Sequence, residues 1–333
     1  MPTPRRLWCA ARRLTHRFIT HLATSLALLC TSALAPAAPA TQDVAPMVAE
    51  PVADGVWFVQ GEAALGSPAN RNFISNAGFI VTPAGVVVID ALGSPALAQA
   101  LLAAIHKITP QPVRYVIVTH YHADHIYGLQ VFKDQGATII AQQAGRNYLN
   151  SETAQQRLAA SRDALAPWIN ANTHLVPADR WLNADTVLDI GGERLQIRHV
   201  GPAHTPEDLV VYAERSKVLF AGDLVFRGRI PFVGQADSRS WISALIALIQ
   251  LQPGVIVPGH GGLSTSPLPD LTLTRDYLAF LRRSMGEAAS AMAPFDEAYA
   301  RTDWSAFAHL PLFRAANRIN AYNTYLLMEQ QGQ

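Results

Sequence analysis

The chain has 333 residues, of which 50% are hydrophobic and 15% are charged, and its formal net charge is +1. A chain of this length can bury a substantial core as one large domain or two, while its near-neutral charge excludes nucleic-acid binding driven by overall charge. Both cysteines, Cys9 and Cys30, lie in the N-terminal segment, so a metal site further along the chain must use histidines and carboxylates.

The N-terminal segment has the pattern of an export signal. Five arginines and no acidic residue occur up to position 17, an apolar run follows at 22–29, and small residues follow at 33–35 and 38–40. This order is typical of a cleaved secretory signal, and the apolar run is shorter than the ~20 residues of a membrane span. We predict that residues 1–40 are a signal peptide and linker. The mature protein would then be periplasmic or secreted, with no stable membrane anchor; an uncleaved signal anchor is the alternative, and the export pathway stays open.

Beyond a linker at residues 41–50, strand and helix patterns alternate along the chain. Apolar runs bounded by turn residues predict strands at 52–59, 73–81, 85–90, 113–118, 138–141, 186–190, 195–200, 209–213, 218–221 and 255–257. Helices are predicted at 94–107, 142–166 and 238–251, and from Leu271 onward with breaks at Pro294 and Pro311. Ser94 and Ser238 are the predicted caps of their helices. Strands followed by helices in both halves predict two packed sheets flanked by helices.

A cluster of ligand-type side chains follows the strand at 113–118. The stretch His120-Tyr121-His122-Ala123-Asp124-His125 places three imidazoles and one carboxylate in six positions, in a chain with 11 histidines. Because alternate residues of a strand point to the same side, His120 and His122 can leave its end in one direction. The pattern indicates a metal site, and a polar loop with surface histidines is the alternative.

Three later strand ends carry a histidine or an aspartate beside glycine. These residues are His204, Asp223 and His260. Each is weak evidence alone, because a single histidine near glycine is more often a surface or hydrogen-bonded residue. Together with residues 120–125, they predict that four strand ends direct metal ligands toward one rim.

This set of residues resembles the metallo-β-lactamase superfamily. The family's H-x-H-x-D-H signature matches residues 120–125, and its later ligands match His204, Asp223 and His260 in the same order. The resemblance covers about residues 52–262 and implies an α/β fold, an αββα sandwich with metals at one edge of the sheets. We therefore expect a catalytic domain at 41–265. A helical segment at 266–333 would pack on the same domain and could cap the site, as in glyoxalase II.

The resemblance also implies how the ligands are shared between two metals. The first site would use His120, His122 and His204; the second would use Asp124, His125 and His260; Asp223 would bridge them. Asp90 matches the family's acidic residue near the site, either supporting a ligand or serving as a turn carboxylate.

These ligand types suit two Zn²⁺ ions, with Fe or Mn as alternatives. The expected chemistry is attack by a metal-bound hydroxide on a small ester, thioester or lactone. Asp124 would orient this hydroxide and carry a proton to the leaving group.

The branch of the superfamily is less sharply indicated. A bridging Asp223 looks like the glyoxalase II, lactonase and arylsulfatase-like branches, since β-lactamases usually have Cys or Ser there. A β-lactamase and a mononuclear-iron persulfide dioxygenase remain alternatives. So does a binding protein without turnover, although no ligand is missing. The predicted partner is a small-molecule substrate, not a nucleic acid.

The segment at 220–231 resembles exported zinc hydrolases found with periplasmic quinoprotein and sulfur-oxidation systems. It predicts a functional link to such a system. In the same segment, Arg227 and Arg229 could contact an anionic substrate, or they could be solvated loop residues.

Overall fold

The computed structural model describes residues 46–332 of the chain. The predicted signal segment at 1–40 lies outside these residues, and the export prediction therefore stays a prediction. Across the described range, no helix combines the length and the apolar character that a membrane crossing requires.

The first sheet has seven strands, which lie side by side in chain order. They are β1 (Glu50–Ala53), β2 (Val56–Val59), β3 (Ala77–Thr82), β4 (Gly85–Ile89), β5 (Val113–Ile117), β6 (Thr138–Gln142) and β7 (Arg180–Leu182). The pairs from β1 to β4 are antiparallel, and those from β4 to β7 are parallel. Ile89 of β4 pairs with Ile117 of β5. The residues that follow these two strands are therefore neighbours at one edge of the sheet.

The second sheet has five strands in the order β12-β11-β10-β9-β8. They are β8 (Thr186–Ile190), β9 (Glu193–His199), β10 (Leu209–Ala213), β11 (Val218–Phe226) and β12 (Val255–His260). Strands β11 and β12 are parallel, and the other pairs are antiparallel. Because Phe226 pairs with His260, the ends of β11 and β12 reach the same edge.

Helices cover the outer faces of both sheets. They are α1 (Pro95–Ile108), α2 (Ala123–Ile126), α3 (Leu129–Asp134), α4 (Gly145–Leu149), α5 (Glu152–Ala164), α6 (Ser238–Leu251), α7 (Pro267–Ser290), α8 (Phe295–Arg301) and α9 (Phe313–Gly332). The first sheet packs against α1 and α3 through residues such as Leu101 and Phe132. The second packs against α6, α7 and α9 through residues such as Leu245, Leu278 and Ala321.

A third apolar layer lies between the two sheets. It joins side chains such as Phe58 and Val87 of the first sheet to Leu195 and Phe220 of the second, all of them buried. Burial of apolar area is the main favourable term in folding, so each sheet is held on both faces. The predicted αββα sandwich is confirmed.

Several predicted elements hold, and others are wrong in detail. Helix α1 starts as predicted, because the Ser94 hydroxyl accepts a hydrogen bond from the backbone N–H of Leu97 at 3.2 Å. The single strand predicted at 52–59 is wrong. Gly55 has φ +70°, which glycine adopts without a steric penalty, and the turn there divides the run into β1 and β2.

The predicted helix at 142–166 is also divided. It forms α4 and α5, and the Ser151 hydroxyl begins the second helix by accepting from Ala154 N at 3.2 Å. Ser238 is not the cap of α6. The Asp237 carboxylate has that role, accepting from the backbone N–H groups of Arg239 and Ser240. The last long helical region begins at Pro267, four residues before the predicted start.

The strand predicted at 218–221 is too short, since β11 continues to Phe226. Asp223 therefore lies within the strand rather than at its end. The pairing with β12 shifts register around Gly222, whose φ is +51°. This irregularity interrupts the regular ladder next to Asp223.

Candidate metal centre

The seven predicted ligands come together at the edge where β5, β11 and β12 meet. His120 and His122 follow β5, and Asp124 and His125 lie in α2 immediately after them. The others come from the β9–β10 loop, from β11 and from the last residue of β12: His204, Asp223 and His260. They form two groups, and within each group the potential ligand atoms lie within 4.8 Å of one another.

The first group consists of three imidazoles and a carboxylate. The Nε2 atom of His204 lies 3.0 Å from Nδ1 of His122 and 3.4 Å from Oδ2 of Asp223. Nε2 of His120 lies 3.7 Å from the same carboxylate oxygen. In a tetrahedral zinc site, ligand atoms at 2.0–2.2 Å from the ion lie roughly 3.3–3.6 Å apart. The spacing of this group matches that geometry.

The second group faces the other side of Asp223. Oδ1 of Asp223 lies 3.2 Å from Nε2 of His125, and Oδ2 lies 3.3 Å from Nε2 of His260. Asp124 completes the group, with its Oδ2 atom 3.3 Å from Nε2 of His260 and 3.6 Å from Nε2 of His125. Asp223 therefore contacts ligands of both groups through its two oxygens.

Three of the inward-facing atoms have no hydrogen-bond partner among the described residues. They are Nε2 of His120, Nε2 of His125 and Oδ1 of Asp223, all of them buried. Unpaired buried polar atoms cost about 1–3 kcal/mol each, so folded proteins rarely leave several of them side by side. Divalent cations held by the two groups would satisfy all three atoms. The donor set and its spacing therefore fit a divalent metal site.

The opposite ring nitrogens of three histidines are held by hydrogen bonds. Nδ1 of His120 lies 3.0 Å from Oγ1 of Thr119, Nδ1 of His125 lies 2.9 Å from Oδ2 of Asp90, and Nδ1 of His260 lies 2.7 Å from the carbonyl oxygen of Ile74. Each of these oxygens can accept a hydrogen bond, so the N–H is placed on Nδ1. The Nε2 lone pair then points toward the candidate metal, as in known metal sites.

Asp90 and Thr119 form the support of this cluster. The backbone N–H and the hydroxyl of Thr119 donate to the two carboxylate oxygens of Asp90, each at 2.8 Å. Because Asp90 also contacts His125, the pair connects the ends of β4 and β5 to ligands of both groups. The sequence analysis named Asp90 but missed Thr119, although it directly precedes the histidine stretch.

Two further residues that sequence reasoning missed hold the loops that carry ligands. The Asp208 carboxylate accepts from both the backbone N–H and the hydroxyl of Thr205, next to His204. The Asn76 side-chain amide donates to the carbonyl oxygens of Pro258 and Gly261, on either side of His260. An acidic residue just after a ligand loop was a visible signal for Asp208; Asn76 gave none, because its partners are more than 180 residues away.

Glycine at position 259 allows a close approach to the bridging carboxylate. A Cβ atom added there would lie 2.0 Å from Oδ1 of Asp223. No side chain larger than hydrogen can occupy that space unless the carboxylate moves. This explains in steric terms the glycine that precedes His260.

Aromatic rings form one wall of the centre. Phe226 stacks on His260, with ring centroids 5.0 Å apart and an angle of 6° between the planes. Trp241 is fully buried and lies edge to face against His204, at 5.3 Å. Its indole N–H donates to the carbonyl oxygen of Leu224. These apolar rings fix the imidazoles and lower the local polarity around them.

The two groups differ in their protonation. Burial, with the charge of the neighbouring His204 as the next cause, lowers the pKa of His122 to about 3. Burial likewise lowers the pKa of His204 to about 4 and that of His120 well below its usual value. The opposite holds for His260: burial alone would lower its pKa, but the carboxylates of Asp223 and Asp124 outweigh burial and raise it to about 9.

His125 behaves in the same way as His260. Burial opposes its charge, yet Asp223, Asp124 and Asp90 together raise its pKa well above the usual value. Without a metal, the three imidazoles of the first group are therefore neutral at pH 7, while the second group holds two protonated imidazoles among carboxylates.

The two predicted substrate-binding arginines lie in different surroundings. The Nε atom of Arg227 donates to Oδ2 of Asp270 at 2.8 Å, and its side chain is 38% exposed. Arg229 is buried, and its guanidinium lies over the ring of Phe226 at 5.6 Å. Its Nη1 atom has no hydrogen-bond partner among the described residues. Contact with substrate stays a prediction for both.

Comparison with known proteins gives relatives of two kinds. The chain is 26% identical over 246 residues to the linear primary-alkylsulfatase of Pseudomonas sp. (strain ATCC 19151), covering 61% of this chain and 45% of the relative. It is 26% identical over 192 residues to a metallo-beta-lactamase type 2 of Bacillus cereus, covering 56% of this chain and 67% of the relative. The chain thus spans about half the length of the alkylsulfatase.

Solved structures give the same two kinds of relative. A metallo-beta-lactamase from Pontibacter korlensis superposes with a TM-score of 0.55 at 25% identity, covering 70% of this chain and 99% of that one. A sec-alkylsulfatase from Pseudomonas sp. superposes with a TM-score of 0.67, covering 84% of this chain and 50% of that one. Its identity of 18% supports a shared fold alone.

The sequence profile of the metallo-beta-lactamase superfamily matches residues 70–260, more than half of the chain. The match spans Asp90, Thr119 and every residue of both groups. Homologues in this superfamily are metal-dependent hydrolases. With the αββα fold and a site that suits a divalent cation, the chain belongs to the metallo-beta-lactamase superfamily.

Proposed function

We propose that the protein is a dinuclear zinc hydrolase that cleaves a small ester, thioester or lactone. The observation that carries the proposal is the position of Asp223, whose two oxygens lie 3.2–3.7 Å from imidazole nitrogens of both ligand groups. A carboxylate shared in this way suits two adjacent metals rather than one. The ligands are those that the sequence predicts: His120, His122 and His204 for one ion, Asp124, His125 and His260 for the other, and Asp223 between them.

Imidazole and carboxylate ligands without a thiolate suit Zn²⁺, and Fe or Mn are the alternatives. When bound, two such ions lower the pKa of a shared water and polarise the scissile carbonyl. The chain's own residues supply orientation and proton transfer. Asp124 has the more exposed carboxylate of the set, with 17% of its side chain accessible against 4% for Asp223. It is placed to take a proton from the attacking water and deliver it to the leaving group.

The substrate reaches the centre from the side of the first group. His122 and His204 line a cavity of about 560 Å³, a volume typical of a small-molecule site. Phe226 and Trp241 pack against the imidazoles of His260 and His204. Their packing keeps bulk water away from the imidazoles and holds the rings in place for the reaction.

We also propose that this hydrolase acts outside the cytoplasm. Its support is the basic, apolar and small-residue pattern of residues 1–40. The segment at 220–231 supports a functional link to a periplasmic quinoprotein or sulfur-oxidation system. A fusion of residues 1–45 to a reporter enzyme, followed by fractionation, tests export; a reporter retained in the cytoplasm would contradict it.

A second candidate reaction is hydrolysis of a sulfate ester. Arg229 favours it, because a buried guanidinium with an unpaired Nη1 atom gains most from an anionic reaction centre. The alkylsulfatase relative supports the same candidate. Arg229→Gln would then abolish sulfatase activity while leaving carboxylic ester hydrolysis largely intact.

The proposal is tested by assaying the zinc-loaded protein against an ester, a thioester, a lactone, an alkyl sulfate and a β-lactam. We expect turnover of one of the first three substrates, with about two zinc ions per chain. Asp124→Asn should lower kcat by roughly 10²–10⁴-fold. Asp134→Asn, which changes an exposed carboxylate on α3, should leave it unchanged.

Several results would overturn the proposal. Full activity of Asp124→Asn would exclude the assigned proton transfer. Preferred turnover of the β-lactam would favour the β-lactamase alternative. One iron per chain, with oxygen consumption on a persulfide, would favour the dioxygenase.

A further inference from the structure

The cavity beside the metal centre has walls from both halves of the fold. Tyr148 of α4 and Arg157 of α5 come from the side of the first sheet. Gln235, in the segment after β11, and Asn323 of α9 come from the side of the second sheet. Because His122 also lines the cavity, a molecule bound there lies beside the first ligand group.

Arg157 is the one cationic residue among those that line this cavity. Its side chain is exposed, and its positive charge acts on the phenol of Tyr148, where it opposes the rise in pKa that burial causes. Some arginines in residues 46–332 are occupied by carboxylates, as Arg194 is by Glu214 and Arg318 by Asp296. Arg157 has no such pair in that range, so most of its N–H groups remain available to a ligand.

Glu207, the one acidic residue that lines the cavity, does not neutralise Arg157. It is buried, with 5% of its surface accessible, and its Oε1 atom accepts from the backbone N–H of Tyr121 at 3.1 Å. The other lining residues are neutral apart from the candidate ligands His122 and His204. Arg157 is therefore the one exposed charged side chain among the lining residues.

The wall also offers an apolar surface. Phe232 lines the cavity, and 44% of its surface is exposed. Exposed aromatic surface next to a cation suits a ligand with a carbon stem that ends in an oxyanion. An arginine with available N–H groups is the side chain best suited to a planar carboxylate, through charge-assisted hydrogen bonds.

We propose that Arg157 is a specificity-determining residue that binds a carboxylate carried by the substrate away from its scissile bond. The inference rests on the proposed ester hydrolase function and narrows it to anionic esters. In the bound substrate, the ester lies at the metal centre, the stem contacts Phe232, and the carboxylate lies between Arg157 and Tyr148.

The kinetic test compares two esters of equal chain length, para-nitrophenyl hexanoate and para-nitrophenyl hydrogen adipate. We expect the zinc-loaded protein to prefer the adipate ester. Arg157→Gln should lower kcat/KM for this ester roughly tenfold to hundredfold, the effect of a lost charge-assisted hydrogen bond, with little change for the hexanoate ester. Arg157→Lys should restore part of the preference, because it keeps the charge.

Arg146→Gln is the matched control. Arg146 lies on α4, is exposed, and covers the ring of Trp181 at 5.3 Å without lining the cavity. The substitution Arg146→Gln removes the same charge from the same region and should leave the preference for the adipate ester intact. Equal turnover of both esters by the wild-type protein, or a loss of the same size in Arg146→Gln, would overturn the inference.

A binding measurement separates this inference from the proposed function. Calorimetry compares adipate with hexanoate, since both carry one carboxylate and only adipate carries a second. If neither ester is hydrolysed, the ester hydrolase proposal fails. The inference then stands if adipate binds more tightly than hexanoate and Arg157→Gln removes the difference. It fails if Arg157→Gln leaves the difference unchanged.

Discussion

Asp90→Asn tests whether one carboxylate outside the ligand set controls the second metal site. Oδ1 of Asp90 accepts from the backbone N–H of Thr119, and Oδ2 accepts from the Thr119 hydroxyl and from Nδ1 of His125. Asparagine can keep the first bond, but its NH₂ group then faces Nδ1 of His125. The imidazole must move its proton to Nε2, the atom that faces Asp124 and Asp223. That nitrogen can no longer bind a metal.

The expected loss of metal affinity is confined to one metal, and its magnitude can be stated. Removing such a partner of a metal-binding histidine typically costs 10–100-fold in metal affinity, which corresponds to about 1.4–2.7 kcal/mol. His122 and His204 make no hydrogen bond with Asp90, and His120 reaches it only through Thr119. Asparagine also tolerates the left-handed backbone at position 90, where φ is +63°. The variant should therefore fold and keep its first metal.

Competition between the metal-free protein and a chromophoric chelator measures both zinc equivalents. Asp134→Asn is the control, because it makes the same change at an exposed carboxylate on α3, outside the ligand set. We expect Asp90→Asn to weaken one equivalent by 10–100-fold and Asp134→Asn to keep both. If Asp90→Asn bound two equivalents with wild-type affinity, the argument from the histidine proton would be refuted.

Three further predictions follow from the same centre. Gly259→Ala should displace the Asp223 carboxylate and abolish activity, since the added Cβ would lie 2.0 Å from Oδ1. Gly254→Ala, whose added Cβ has its nearest contact at 3.5 Å, should leave activity in the same assay unchanged. Removing metal with a chelator should lower Tm, and zinc at 100 times its Kd should raise the free energy of unfolding again by about 2.7 kcal/mol. An unchanged Tm in calorimetry would argue against a structural metal site. Because the pKa of His260 in the metal-free protein is raised from 6.5 to about 9, protons compete with zinc below that pH. Zinc affinity should rise from pH 6.5 to 9, with proton release measurable by calorimetry in two buffers, and a pH-independent affinity would contradict this assignment.

The sequence predicted which residues lie together at the candidate centre, because their pattern is local and their strands are easily recognised. Residues 120–125 directly follow a buried strand, and His260 ends another. Since the ends of neighbouring parallel strands share an edge, adjacency along β4–β5 and β11–β12 brings these residues together without any knowledge of side-chain packing. The alternation of strands and helices is also a local pattern, and it predicted the two packed sheets flanked by helices.

What the sequence missed depends on contacts between distant segments. Asn76 holds the His260 loop across more than 180 residues, and no local pattern marks an asparagine for that role. The continuation of β11 through Asp223 depends on its pairing with β12 past the irregularity at Gly222. The break between α4 and α5 is a different kind of miss, because Asn150-Ser151 is a local helix-start signal that the prediction of one helix at 142–166 overlooked.

The family match covers the candidate metal centre but not the whole wall of the cavity beside it. All seven candidate ligands lie within residues 70–260, the part that matches the family. The cavity wall does not, because Asn323 of α9 belongs to it. Asn320, one turn earlier, accepts from Val233 N and donates to the carbonyl oxygen of Pro231, so α9 also fixes the segment after β11 that forms the opposite wall. The family match therefore accounts for the candidate metal ligands, while the shape of the cavity also depends on α9, which lies outside the match.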